Sequence, residues 1–121
     1  MATASLRDRI AAAKDAQTVA VNVPEWDCTV VVHSLTTQER IQWELDCSKK
    51  KKEKVTVDPF KLRSALLIAT CHCPDTGEKV FTADDHEMLG GKNSAVTERL
   101  FNVAAKLSGI SEQDEADIAG K

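Results

Sequence analysis

Thr18-Val19-Ala20-Val21-Asn22-Val23, then Pro24-Glu25-Trp26-Asp27, then Cys28-Thr29-Val30-Val31-Val32-His33 is the stretch on which the fold turns. In the first run Val19, Val21 and Val23 alternate with Thr18, Ala20 and Asn22. That two-residue period belongs to a strand with one buried face. In the second run Cys28, Val30 and Val32 alternate in the same way with Thr29, Val31 and His33. The proline and polar residues between them break the pattern, so residues 18–33 read as a β-hairpin with a loop longer than the tightest type.

The flanks read as helices. Ser5 followed by Asp8 is a helix start, the hydroxyl accepting a backbone N–H and the carboxylate sitting at the positive end. Leu6, Ile10 and Ala13 give this short helix a narrow apolar stripe, marginal until it docks. After the hairpin, Leu35-Thr36-Thr37-Gln38-Glu39 is a capping-box signature with Leu35 as staple. Ile41 and Leu45 share one face of the helix that follows, and Trp43 points away from them by roughly 160°. Ser48 to Lys54, nearly all lysine, reads as a solvated loop.

Asp58-Pro59 opens the next helix as cap and first-turn proline. From Phe60 to Cys71 apolar residues run almost all the way round. Phe60, Leu67 and Cys71 lie on one side and Leu62, Leu66 and Ala69 on another, as expected of the central core helix. Cys73-Pro74 ends it. Pro74-Asp75-Thr76-Gly77 is a turn, and Lys79-Val80-Phe81 a short extended piece. Thr82 caps a brief segment that stops at Gly90-Gly91, and Ser94 is expected to cap an amphipathic helix carrying Val96, Leu100, Val103, Ala104 and Leu107, closed by Gly109. Ser111 and Asp114 start a last, frayed acidic segment over residues 111–121. The expected fold is mainly α with a small N-terminal β-hairpin, an α+β arrangement in a single compact helical domain spanning 1–121.

Composition narrows function. A hydrophobic share of 42% against 29% charged residues fits a chain with a real core, not a disordered tail. No apolar run approaches the roughly 20 residues of a membrane span, and Met1 to Lys14 lacks the apolar centre of a secretory signal. A net charge of −3 and aromatics at 4% argue against a nucleic-acid-coating surface and against base-stacking platforms. In a reducing compartment Cys28, Cys47, Cys71 and Cys73 are expected to stay unpaired.

Cys71-His72-Cys73, with Cys47 or Cys28 as a distant partner, is the one cluster with metal chemistry, but a lone C-x-C is not the pair of C-x₂₋₄-C motifs that zinc sites favour. His33, His72 and His86 lack any nucleophile context, and Gly90-Gly91-Lys92 lacks the first glycine of a phosphate loop. The reading is non-enzymatic, with no cofactor, metal or catalytic residue. Binding candidates are aromatic: Trp26 at the hairpin turn, Trp43, and Phe101, each an interface anchor if exposed and a core contact if not.

The order of features adds to this. Ser5-Leu6-Arg7-Asp8-Arg9-Ile10 precedes a valine-alternating strand into Val23-Pro24-Glu25-Trp26, and a second strand leads into Leu35-Thr36-Thr37-Gln38-Glu39-Arg40. Then come Asp75-Thr76-Gly77-Glu78, Val80-Phe81-Thr82-Ala83-Asp84-Asp85, Leu89-Gly90 and Leu107-Ser108-Gly109-Ile110-Ser111-Glu112 before the acidic tail. Taken together, this series resembles the tail assembly chaperones of phages and prophages with long, non-contractile tails. Cys71-His72-Cys73 and the basic run Lys49–Lys54 depart from the family's usual pattern.

The resemblance implies a non-enzymatic chaperone that binds and solubilises the tape measure protein and promotes tail tube polymerisation around it. It implies a homo-oligomer, no membrane partner, and a place in the cytoplasm of an infected or lysogenic host rather than in the virion. It also implies a longer frameshifted product that contacts the tail tube protein, for which Gly120-Lys121 can be encoded by a slippery heptamer. The competing expectations are a head–tail connector or tail completion protein, and a small nucleic-acid-binding regulator acting through the lysine run.

Overall fold

The computed structural model describes residues 5–51 and 54–110, with backbone only for 49–51. The expected hairpin is its first sheet element. Strand β1 (Thr18–Val23) pairs antiparallel with β2 (Cys28–His33) in the register Val19↔Val32, Val21↔Val30, Val23↔Cys28. A single 3-10 turn, Pro24–Trp26, joins them, and Asp27 closes it at φ 51, a left-handed conformation that a short polar side chain tolerates.

Helix α1 (Leu6–Ala12) precedes the sheet; Ser5 Oγ accepts from the Asp8 N–H at 3.1 Å, and no α1 residue is buried. Helix α2 (Thr37–Cys47) starts with the full capping box: Thr36 Oγ1 accepts from Glu39 N–H at 3.1 Å, and the Thr36 N–H donates to Glu39 Oε1 at 2.9 Å. Helix α3 (Pro59–Thr70) starts on Asp58, whose Oδ1 accepts from the Phe60 and Lys61 N–H groups. It is the most buried element, carrying Leu62, Ser64, Ala65, Leu66, Leu67 and Thr70 inward. The short α4 (His86–Gly90) follows a 3-10 turn at Ala83–Asp85 boxed by Thr82 and Asp85. Helix α5 (Ser94–Leu107) is capped by Asn93, whose side chain accepts from Ala95 N–H at 2.8 Å, so the cap falls one residue before the expected Ser94. Its end is a Schellman motif. Gly109, at φ +71, donates to Lys106 O and Ile110 donates to Ala105 O, while Ile110 itself is buried.

Two regions differ from expectation. Ser48–Lys51 and Lys54, expected in a loop, lie in strands. Strand β3 (Ser48–Lys51) pairs antiparallel with β4 (Lys54–Val57), Ser48↔Val57 through Lys51↔Lys54. Three β-branched residues in a row, Val55-Thr56-Val57, supply the strand preference that the charges obscure, and an edge rich in lysine resists pairing with foreign strands. The C-x-C end of α3 also leaves the helix early. Cys71–His72 is strand β5, which adds to β2 in the register Val31↔His72 and Val32↔Cys71. The small sheet therefore has three strands in the order β1-β2-β5. The segment beyond β5 doubles back: Gly77 N–H donates to Cys73 O, Cys73 N–H to Glu78 O, and Val80 N–H to Cys71 O.

One face of the sheet and the inner faces of α2, α3 and α5 enclose a common core that includes Val23, Val30, Val32, Trp43, Leu66, Leu67, Val96, Leu100 and Phe101. A side-chain clamp joins the ends of α2 and α5: Ser108 Oγ accepts from Leu35 N–H at 3.0 Å, and Arg40 reaches the Ser108 carbonyl. The last segment expected from sequence, 111–121, lies outside the described residues.

Candidate partner-binding surface

The three aromatic candidates separate by burial. Trp43 is 1% exposed and Phe101 2%, so both are core side chains and neither offers a surface anchor; that corrects the exposed alternative left open for them. The reason is visible at Trp43. Its indole N–H donates to the Leu62 carbonyl at 2.9 Å, which satisfies the ring's polar atom and lets the whole side chain lie between α2 and α3. Phe101 packs in the same core and takes the Arg63 guanidinium over its ring at 5.4 Å. Trp26 alone keeps part of its ring exposed. Beside it Glu25 receives a two-pronged hydrogen bond from Arg99, at 2.6 and 3.3 Å, which ties the hairpin turn to α5. The hydrogen bond from Arg99 holds the Glu25 carboxyl below its ordinary range.

Burial of Trp43 turns α2 over. Trp43 and Cys47, four residues apart, face inward, and Ile41 and Leu45 face out, 55% and 64% exposed. Pairing Trp43 with Cys47 rather than Ile41 with Leu45 was the available signal, since both pairs sit at the spacing of one helix face.

The cysteines and histidines assemble no metal site: among the described residues no group of three or more His, Cys, Asp or Glu is placed to hold an ion. Cys47 and Cys71 are buried, and burial raises their thiols to about 11 and about 12. Cys73 points the other way. The Thr76 and Asp75 backbone N–H groups and the Thr76 side chain favour its thiolate and lower its pKa. His72 is held by a contact of its Nδ1 with the Thr70 carbonyl at 2.9 Å and stacks on His33, centroids 3.8 Å apart. Burial and the neighbouring His72 charge lower the pKa of His33.

What the surface does offer is apolar. Leu6, Ile10, Ile41, Leu45, Val55, Phe60, Val80 and Met88 are each at least 42% exposed, and Leu6 with Ile10 and Ile41 with Leu45 fall four apart along one helix face. A groove of about 180 Å³ opens between α3, α4 and α5, floored by Leu67 and Leu89, with Phe60 at its side and Arg63 and Lys92 as its charged lining. Gly90 keeps it open, because a Cβ there would stand 3.0 Å from the Phe60 ring. Ser64, part of the groove's lining, meets His86, Oγ to Nδ1 at 2.6 Å. A second depression of about 370 Å³ lies where the hairpin's open end meets the clamp, lined by polar groups of Gln17, Ser34, Thr36, Thr37 and Ser108 and by Leu35 and Leu107. Among the described residues no helix is long and apolar enough to cross a membrane.

The described residues form a small α+β body with exposed apolar helix faces and an open groove. The chain belongs to the phage tail assembly chaperone family, whose model matches residues 5–121. The fold is similar to the structure of the bacteriophage HK97 tail assembly chaperone, with a TM-score of 0.54 and 24% identity over 82% of this chain and 94% of that one. No curated protein matches this sequence.

Proposed function

We propose that this chain, acting as one domain over 1–121, is a non-enzymatic chaperone that binds the tape measure protein, keeps it soluble and promotes tail tube polymerisation around it. It works in the cytoplasm of the infected or lysogenic host and leaves before the virion is complete. Several copies act together as a homo-oligomer, and a longer frameshifted product brings in the tail tube protein.

The observation that carries the reading is the groove between α3, α4 and α5. Leu67 and Leu89 are buried at its floor, the Phe60 ring, 42% exposed, is its open apolar side, and Arg63 and Lys92 are its charged lining. A long helical client with apolar stripes would aggregate uncovered. It can lay one such stripe into this groove by helix-in-groove packing, and many copies along one client add avidity. Trp26, partly buried at the hairpin turn, is proposed as a further contact.

The test is co-expression with the tape measure protein of the same phage or prophage, followed by solubility and co-purification. The native chain is expected to keep the client soluble and co-purify with it, Phe60→Asp to lose most of that, and Trp26→Ala to weaken it. A client soluble alone and never retained by the native chain refutes the chaperone reading. Equal retention by Phe60→Asp refutes the groove.

A further inference from the structure

The groove between α3, α4 and α5 is small, and its open side is held in place. Its volume of about 180 Å³ is close to the roughly 150 Å³ of an apolar cavity that takes a single benzene. It has room for one large apolar side chain and not for a length of helix. Phe60 is braced before any partner arrives. The His86 ring meets it edge-on, centroids 6.4 Å apart, and that imidazole is itself tied to Ser64 Oγ at 2.6 Å. The far end of the Phe60 ring also comes up to Gly90, where a Cβ would stand 3.0 Å from Cζ. A ring already ordered loses little freedom on binding, which favours an anchor seated against it.

The ionised groups that line the groove, Arg63 and Lys92, are both cationic, but they are not equivalent. Arg63 Nε donates to Glu98 Oε2 at 2.7 Å, its Nη1 donates to the Pro59 carbonyl at 3.1 Å, and its guanidinium lies over Phe101. Its charge is answered within the fold. Lys92 is exposed, rooted at the end of α4 by its N–H bond to Leu89 O at 3.1 Å. A client helix that puts an apolar side chain into the groove brings the residues three and four positions away onto the same face. Near Lys92 a carboxylate at those positions is attracted, and an ammonium is repelled.

We propose that the groove is a one-residue socket that reads a helical client by two features together. A large apolar side chain seats against Leu67, Leu89 and Phe60, and an Asp or Glu three or four positions from it pairs with Lys92. This pairing rests on the reading of the chain as a chaperone of a helical client, and it adds which stretches of the client are held. Apolar residues flanked by Lys or Arg are disfavoured.

The probe is a set of overlapping synthetic peptides, each several helical turns long, that tile the tape measure protein of the same phage or prophage. Binding to the full chain is measured by fluorescence anisotropy at low and high salt. The peptides that bind are expected to carry a large apolar residue with Asp or Glu three or four positions away, and to bind less tightly as salt rises. In the tightest of them, changing that acid to lysine is expected to lower affinity about three- to tenfold. Lys92→Glu is expected to lower affinity for the parent peptide by a similar factor and to restore affinity for the lysine peptide. Lys92→Gln is expected to fall between. The site is exposed, and far-UV circular dichroism with a urea midpoint confirms that each variant is folded.

Bound peptides without the flanking acid, or a charge reversal that the second reversal does not rescue, overturn the pairing with Lys92 and leave the chaperone reading standing. Peptides that bind Phe60→Asp as well as the native chain overturn the socket. If no peptide binds while the whole client is still retained on co-expression, the socket falls and the chaperone reading does not. If neither peptide nor client binds, both fall.

Discussion

Replacing Trp43 by phenylalanine tests the orientation of α2, on which the assignment of its outer face depends. The substitution removes the indole N–H that donates to Leu62 O at 2.9 Å, in a side chain that is 1% exposed. A hydrogen bond of this kind contributes about 1 kcal/mol net. The Leu62 carbonyl lies inside α3 and keeps the helix's own donor, so no orphaned acceptor adds to the cost. Phenylalanine is smaller by on the order of 40 Å³, and a cavity of that size costs about 1 kcal/mol at roughly 24 cal/mol per Å³.

The expected loss is therefore about 2 kcal/mol, or a fall in Tm of roughly 8 °C for a chain of this size. Leu45→Gln on the opposite face is expected to change stability by less than about 0.5 kcal/mol. Urea unfolding followed by far-UV circular dichroism measures both without relying on the tryptophan signal. Should Leu45→Gln cost as much as Trp43→Phe, or Trp43→Phe cost nothing, α2 faces the other way.

Thr36→Ala removes half of the α2 capping box and is expected to cost about 1 kcal/mol by the same urea assay. Gly109→Ala places a side chain at φ +71 with nothing within 4 Å of the new Cβ, so its cost of about 1 kcal/mol is conformational and reports the Schellman end of α5. His33, its pKa lowered by burial and by His72, binds fewer protons folded than unfolded, so stability is full above the unfolded value near 6.5 and falls as pH drops through the lower folded value. Urea midpoints from pH 7.5 to pH 5 should show this loss, and His33→Phe should flatten it. In thiol labelling of the native chain, Cys73 and exposed Cys28 should react, Cys73 first, while Cys47 and Cys71 react only after denaturation.

The parts of the fold legible in sequence were those fixed by local chemistry. The valine alternation gave the hairpin residue by residue, and Thr36 with Glu39, Asp58 with Pro59, and Gly109 marked helix ends that the structure keeps. What stayed hidden depends on distant partners. Cys71-His72 becomes a strand because β2 offers an edge about forty positions earlier in the chain, and nothing in Cys-His-Cys-Pro announces that edge. On α2, Ile41 with Leu45 and Trp43 with Cys47 share the same spacing, and the Leu62 carbonyl on α3, which the Trp43 indole reaches, is a distant partner that the local pattern does not show. The groove was illegible for the same reason: Phe60 and Gly90 are thirty residues apart and become neighbours only when α3 and α4 pack.

The position of β5 also sets an order of events. Strands β1 and β2 are close in sequence and can pair on the microsecond scale of a hairpin. Val32 and Cys71 stand about forty positions apart, so their pairing closes a much longer loop than the hairpin does and is expected to form later. The second edge of β2 is therefore expected to be covered after the first, by the two residues of β5. The step that limits the rate of folding is expected to be this closure, and substitutions at Cys71 should slow refolding more than substitutions in the hairpin turn, whose contacts form first.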